Sequence, residues 1–192
     1  MSKCTILFTS MAVVVLLSGA AKAELVNFTA NVPFEWTPSG YVLLQDVLSS
    51  MPSVITMNAE FASPPGVHTT NGSSTTVHVT LNAVNNLGWT WTGYLMELNS
   101  DPAYSAKFVD GSASSDAFGV PDSGNDYNLE WHEGAGVVLA GNSTKFDFDL
   151  ILSISGTGST NYSLTQTPIP EPAMVALLGL GTVVLLARRK RQ

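Results

Sequence analysis

The chain has 192 residues, a formal net charge of −7 and a hydrophobic content of 45%. Its charge is unevenly distributed, because between Glu24 and Pro168 fourteen carboxylates stand against two lysines, Lys107 and Lys145, which leaves this stretch at −12. Such a surface repels nucleic acid and anionic lipid, so nucleic acid is excluded as a partner. About 145 residues are enough for one domain with a real core.

The N-terminus has the layout of a secretory signal peptide. A positively charged start is followed by a largely apolar run at 6–17, and Ala21 and Ala23 frame a small-x-small cleavage site. We therefore predict that residues 1–23 are removed and that the mature protein begins at Glu24.

The only cysteine of the chain, Cys4, lies in this leader. The mature protein therefore has no disulfide, although export takes it into an oxidising compartment. Its stability must come from burial of a hydrophobic core.

Residues 24–165 are predicted to form an all-β domain. Apolar and polar side chains alternate with period two, which puts one side of each strand in the core and the other in water. The alternation is clearest at 54–61, 76–83, 127–132 and 145–154, and further strands are expected at 25–32, 88–98, 103–109, 137–140 and 160–165. Eight or nine short strands joined by Gly, Pro, Asn and Asp turns are typical of an antiparallel β-sandwich or jelly roll.

Three local features complete this prediction. Gly93 shifts the apolar parity between Trp91 and Tyr94, as a β-bulge would. Residues 41–48 are the one helix-like piece and are too short to change the fold class. Residues 166–169 are expected to be a linker that leads from the domain to the C-terminal segment.

Sequence motifs of common enzyme classes are missing: the chain has no Gly-x-Ser-x-Gly, no Walker loop and no Cys-x-x-Cys. Glu130, Asp147 and Asp149 lie on predicted strands and could serve as acid and base in glycoside hydrolysis if their separation were right. Charged side chains on the solvated face of a sandwich are the commoner explanation. We predict no catalytic activity, with a glycosidase as an alternative.

A predicted turn offers oxygen ligands of the kind that Ca²⁺ takes, from Asp122, Asn125 and Asp126. The segment lacks the spacing and the closing Glu of an EF-hand loop, so an ordinary turn without metal or cofactor is the prediction and a Ca²⁺ site the alternative. Indole rings can also stack on pyranose faces. The chain has four tryptophans: Trp36, Trp89, Trp91 and Trp131. Together these features define a second functional hypothesis, a carbohydrate-binding module assisted by Ca²⁺.

The C-terminus has three parts in a fixed order. Pro170, Glu171 and Pro172 form an extended tripeptide, and residues 173–187 are uncharged and apolar. The four residues that follow are basic: Arg188, Arg189, Lys190 and Arg191. As a helix the apolar run spans about 22 Å, short of the hydrocarbon core of about 30 Å, and snorkelling basic side chains extend its reach. We predict a transmembrane helix whose basic end stays cytoplasmic and whose domain lies outside.

This order resembles the PEP-CTERM sorting signal of Gram-negative bacteria that make exopolysaccharide. The resemblance covers residues 170–192 and implies that an exosortase, a membrane-embedded cysteine transpeptidase, recognises the Pro-Glu-Pro tripeptide and cleaves at or near it. It implies a transient single-pass anchor in the inner membrane, with the domain in the periplasm, and a final location at the cell surface or in the extracellular matrix. Exopolysaccharide is then the ligand that a carbohydrate-binding module would take.

Overall fold

The computed structural model describes residues 24–37, 39–62, 73–101, 105–132, 136–154 and 158–171. These residues form twelve β-strands and no helix. The strands are β1 (Glu24–Ala30), β2 (Phe34–Thr37), β3 (Tyr41–Leu48), β4 (Ser53–Ala62), β5 (Ser73–Asn85), β6 (Trp91–Asp101), β7 (Ala106–Phe108), β8 (Ser114–Ser115), β9 (Ser123–Gly124), β10 (Asn128–Trp131), β11 (Ser143–Ile154) and β12 (Gly158–Pro170). The predicted all-β class is confirmed.

The strands are arranged in two six-stranded sheets. Sheet A has the order β1-β4-β12-β6-β10-β9, and sheet B has the order β2-β3-β5-β11-β7, with β8 also paired to β11. Strands β3 and β5 are parallel, whereas the other described pairs are antiparallel. Sheet B is therefore mixed, and the expectation of purely antiparallel pairing was wrong for this pair.

The core lies between the inner faces of the two sheets, which makes the fold sandwich-like. On sheet B, β5 and β11 pair along their whole lengths, and Leu81 and Phe146 face each other in that register. The ring of Phe146 lies 4.5 Å from that of Tyr94 and 5.0 Å from that of Trp131, which come from β6 and β10 of sheet A. These residues are fully buried. Burial of this aromatic and aliphatic surface is the main stabilising contribution in a domain without disulfides.

Three sequence-based expectations about local structure were wrong. Residues 41–48 form strand β3, not a helix, with Val42, Leu44 and Leu48 buried on one side. Residues 166–169 belong to β12 and are not a linker. Residues 137–140 make only an isolated bridge, between Val138 and Trp91.

The irregularity expected near Gly93 is present. In the pairing of β12 with β6, Ile169 lies opposite Gly93 but Pro170 lies opposite Trp91, so Thr92 is the extra residue of a β-bulge. A Cβ atom on Gly93 would lie 2.5 Å from the carbonyl oxygen of Trp131. Glycine is therefore required there because β10 passes directly against the backbone of β6.

Candidate functional site

The Pro-Glu-Pro tripeptide begins on the last residue of β12. This strand runs between β4 and β6 in sheet A. Its pairing with β4 ends at Gln166, opposite Ser53, whereas its pairing with β6 continues to Pro170, opposite Trp91. One residue further, the backbone N–H of Glu171 donates a hydrogen bond of 3.3 Å to the carbonyl oxygen of Thr90. The first two residues of the tripeptide are therefore held against the sheet.

Beyond Gln166, β12 has one covered side and one open side. The N–H of Glu171 points toward β6, and backbone groups of successive residues in a strand point to opposite sides. The nitrogens of Pro168 and Pro170 consequently face the side that β4 has left. Prolines fit there because they have no N–H to donate. The open edge, defined as the β4 side of residues 167–170, thus has no N–H donor from Pro168 or Pro170, which discourages pairing with a foreign strand.

A buried hydrogen-bond network supports the strand directly before the tripeptide. The Gln166 side chain accepts a 2.8 Å hydrogen bond from the Tyr94 hydroxyl and donates one of 2.8 Å to Oδ2 of Asp46. The same Asp46 oxygen accepts a 2.8 Å hydrogen bond from the Ser53 hydroxyl. Burial, together with the Asp46 charge, raises the pKa of Tyr94 well above its usual value, so this hydroxyl stays a donor. This buried hydrogen-bond network links β12 and β6 of sheet A to β3 of sheet B.

This support was not predicted from the sequence. Gln166 was assigned to a linker, and Asp46 to a helix-like piece. The sequence does contain a signal, the period-two series of Tyr162, Leu164, Gln166 and Pro168. In the structure these four residues are buried on one face of β12, which continues to the end of the strand. The polar character of Gln166 interrupts the apolar pattern, and its partner Asp46 lies 120 residues away in the chain.

The four tryptophans are not an exposed stacking platform. Trp91 and Trp131 are fully buried, and the Trp131 indole N–H donates a 3.1 Å hydrogen bond to the carbonyl of Gly119. Trp36 and Trp89 are half-buried and pack against the core. The fold therefore directs these four indole rings toward the core.

The candidate Ca²⁺ ligands are directed at protein partners. Oδ1 of Asn125 accepts hydrogen bonds from the backbone N–H groups of Tyr127 and Asn128, at 2.8 and 3.0 Å. Such bonds are those of an Asx turn.

The two aspartates of this turn also have partners. A carboxylate oxygen of Asp122 accepts the backbone N–H of His132 at 2.5 Å, and Asp126 lies 3.4 Å from the ammonium group of Lys107. Within the described ranges, no group of three or more His, Cys, Asp or Glu side chains is placed to hold a metal ion.

The three candidate glycosidase carboxylates are divided between the two sheets. Glu130 is on β10 of sheet A, whereas Asp147 and Asp149 are on β11 of sheet B. Oδ1 of Asp149 lies 2.7 Å from Nδ1 of His78, within hydrogen-bonding distance. Glu130 lies 3.3 Å from His132. The fold therefore does not bring the three carboxylates to one place.

Asp147 is part of a polar cluster on the outer face of sheet B. Its carboxylate accepts hydrogen bonds from the Lys145 ammonium at 2.8 Å and from the Thr80 hydroxyl at 2.6 Å. Partial burial raises the pKa of Asp147, but the hydrogen bonds from Lys145 and Thr80 and the nearby positive charge outweigh it, so the pKa lies below its usual value. The Asp147 hydrogen bond and charge raise the pKa of Lys145.

A shallow cleft crosses the outer face of sheet A. It has a volume of about 660 Å³ and is formed where β1, β4, β12 and β6 lie side by side. Its polar lining includes Asn31, Asn58, Asn99, Asp101, Asn161 and Ser163. The Asn58 side-chain amide donates a 2.7 Å hydrogen bond to Oδ1 of Asn161 across the strand pair. Amide and hydroxyl side chains are numerous in the lining and Asp101 is its one carboxylate, but apolar atoms make up the larger share of the exposed lining surface.

Several predicted segments lie outside the described residues. They are the leader with Ala21 and Ala23, the third motif residue Pro172, the apolar run 173–187 and the basic residues Arg188, Arg189, Lys190 and Arg191. Glu24, the predicted first residue of the mature protein, is the first residue of β1. In the part of the chain that the structure covers, no helix is long and apolar enough for a membrane span.

Comparison with known proteins gives one family match. The model of the PEP-CTERM protein-sorting motif matches residues 168–191, which include the end of β12, the tripeptide, the apolar run and the basic residues. No curated protein matches the chain. The motif implies export and, in general, processing by an exosortase. The chain therefore carries a PEP-CTERM protein-sorting motif, and the matched segment begins inside the last strand of its β-domain.

Proposed function

We propose that this protein is an exported surface or matrix protein without catalytic activity, held for a time in the inner membrane by residues 173–187 and then processed by an exosortase at or near Pro170, Glu171 and Pro172. Its predicted leader, residues 1–23, takes it across the membrane. Its β-domain resides in the periplasm until processing and afterwards at the cell surface or in the extracellular matrix.

The observation that supports this proposal best is the position of the tripeptide at the end of β12. Pro170 is still paired with β6, and Glu171 is hydrogen-bonded to Thr90. An enzyme that takes an extended peptide finds that conformation already formed there. Since β6 covers one side of the strand, the enzyme would approach from the open edge, which β4 does not pair.

The basic block sets the orientation. Arg188 to Arg191 follow the apolar run directly, and basic residues at the end of a short span remain on the cytoplasmic side. The acidic domain, at −12 by sequence, then lies on the opposite side. This arrangement puts the tripeptide at the outer surface of the membrane.

The absence of catalysis is supported by the separation of the candidate carboxylates. Asp147 is engaged with Lys145 and Thr80, and Glu130 belongs to the other sheet. Neither the cleft on sheet A nor the smaller one beside Asp110 and Pro121 is lined by these carboxylates.

Processing is tested by intact-mass measurement of the protein from exosortase-producing cells. We expect replacement of Pro170, Glu171 and Pro172 by alanine to leave a membrane-held form that retains its C-terminus. Glu97→Ala, which removes an exposed carboxylate from β6, is the matched control and should be trimmed like the natural protein. Normal trimming of the triple variant would refute the assignment of the recognition motif.

A second candidate function is the binding of a neutral polysaccharide in the cleft on sheet A. The observation that favours it is the lining of asparagine, serine and threonine side chains, which can both donate to and accept from sugar hydroxyls. The indole platform and the Ca²⁺ turn considered from the sequence are not needed for this function. In a cell that makes exopolysaccharide, such a cleft would attach the released domain to the matrix.

Calorimetric titration with purified exopolysaccharide of the source strain tests this second function. Asn99→Ala combined with Asn161→Ala should weaken binding, whereas Gln45→Ala on the outer face of sheet B should not. Added EDTA should leave the affinity unchanged. Equal binding by both variants, or no heat from the natural protein, would argue against the cleft as the binding site.

A further inference from the structure

The chain leaves the fold at one end of the sandwich, close to its predicted anchor. Pro170 lies opposite Trp91, and Trp91 bridges to Val138. The apolar run begins at Ala173, two residues after Glu171. Because neighbouring Cα atoms are about 3.8 Å apart, the run begins within about 8 Å of Glu171 in any conformation.

Three segments surround this exit and are tied to one another. They are 47–54, 86–92 and 136–142. The Asn86 N–H donates a 3.0 Å hydrogen bond to the carbonyl of Leu48. The Asn85 side chain donates to the carbonyls of Trp89 and Val138, at 2.7 and 2.9 Å.

These segments contain no ionisable side chain, although the domain as a whole is strongly acidic. Glu171 is the carboxylate at the exit itself, and Asp122 and Glu130 lie beside His132, which follows β10. Glu133 lies outside the described residues. Apart from Glu171 these segments bring no charge to this end, so it is the part of the acidic domain that approaches an anionic lipid surface with the least repulsion.

The same segments carry exposed apolar side chains. Five of the eight large hydrophobic residues that are exposed in the described part belong to them, among them Val137 at 56% and Leu139 at 54% exposure. We define the exit rim as Val47, Met51, Trp89, Val137 and Leu139. Trp89 is half-buried, and a partly exposed indole beside aliphatic side chains is typical of the membrane–water interface.

We propose that the exit rim rests on the outer surface of the lipid bilayer while the chain is anchored. This inference rests on the proposed anchoring by residues 173–187, because the short connection from Glu171 is what brings this end to the membrane. Burial of the rim in the headgroup region removes apolar surface from water. It also fixes the tripeptide and the open edge at the lipid surface, where a membrane-embedded transpeptidase has its access.

Two single-cysteine proteins test the proposal. Each is produced from a precursor with Cys4→Ser and keeps the full length of residues 24–192, including the anchor segment. One carries Leu139→Cys in the exit rim. The matched control carries Val26→Cys on β1, an aliphatic side chain with a similar exposure of 48% on the outer face of sheet A. Both are labelled with an environment-sensitive fluorophore and reconstituted into vesicles of phosphatidylethanolamine and phosphatidylglycerol that contain a lipid-borne quencher.

We expect both proteins to float with the vesicles, and only the Leu139→Cys label to shift to shorter wavelength and be quenched severalfold. Flotation of both with equal, water-like emission would overturn docking of the rim and leave the anchor standing. Failure of both to float would overturn the anchor, and the docking proposal with it. The vesicles contain no other protein, so shielding of the label in them comes from lipid. If the Leu139→Cys label is shielded only after an exosortase is added, the rim contacts the enzyme and the lipid assignment is overturned.

Discussion

The side chain of Gln166 donates a 2.8 Å hydrogen bond to the carboxylate of Asp46, across the interior from β12 to β3. Both side chains are buried. This contact ties the strand that ends in the sorting motif to the opposite sheet, four residues before Pro170. It explains how a strand that has lost its β4 neighbour remains in place to its last residue.

We expect Gln166→Leu to destabilise the domain by about 3 kcal/mol, because it leaves a buried carboxylate and the Tyr94 hydroxyl without a shared partner. Gln45→Leu, at an exposed glutamine on β3, should change stability by about 0.5 kcal/mol or less. Urea-unfolding midpoints of the two variants test this. Equal midpoints would mean that the buried hydrogen-bond network does not stabilise the end of β12.

Two buried tyrosines should respond oppositely to loss of the hydroxyl. Tyr94 donates to Gln166, so Tyr94→Phe should cost about 1 kcal/mol. Among the described residues the Tyr162 hydroxyl has no hydrogen-bond partner, and burial raises its pKa, so Tyr162→Phe should be neutral or slightly stabilising. Thermal unfolding of both variants gives the comparison. A larger loss for Tyr162→Phe than for Tyr94→Phe would contradict the hydrogen-bond assignment.

The Asp147 cluster should make stability depend on pH in the acid range. The folded-state pKa of Asp147 is lowered below its ordinary value of 3.8. A depressed carboxylate pKa contributes stability that is present above the unfolded value and is lost as the pH falls through the folded value. The free energy of unfolding of the natural protein should therefore exceed that of Asp147→Asn near neutral pH, and this difference should disappear as the pH drops below about 4.

Unfolding free energies measured between pH 2 and pH 7 check this, with Asp110→Asn as an exposed control. The control should run parallel to the natural protein. An Asp147→Asn curve that also runs parallel to the natural one would show that the contacts with Lys145 and Thr80 do not favour the charged form.

The strands that the sequence predicted well have one apolar and one polar side. In β11, Phe146, Phe148 and Leu150 are buried and alternate with Lys145, Asp147 and Asp149, so period two is visible directly. In β3 the alternation is hidden, because Val47 is exposed and Leu43 is half-buried while Asp46 is buried. Both sides of β3 contain apolar residues, and its structure is decided by pairing with β2 and β5.

The sorting motif was recognisable because its three parts are consecutive in the sequence. Its attachment to the fold was not, since it depends on partners far away in the chain: Trp91 and Thr90 for the tripeptide, and Asp46 for Gln166. Pro170 and Pro172 predicted an extended peptide at the start of the motif. Only the three-dimensional arrangement shows that β6 extends past the start of β4 and keeps these residues in the sheet.

The most direct test of the account is the intact mass of the native protein released from its own cells. We predict that it begins at Glu24 and ends at or near the tripeptide at 170–172, so that both the leader and the segment 173–192 are gone. A native protein that retains Met1 and Gln192 and does not associate with lipid would contradict export and membrane-coupled processing together.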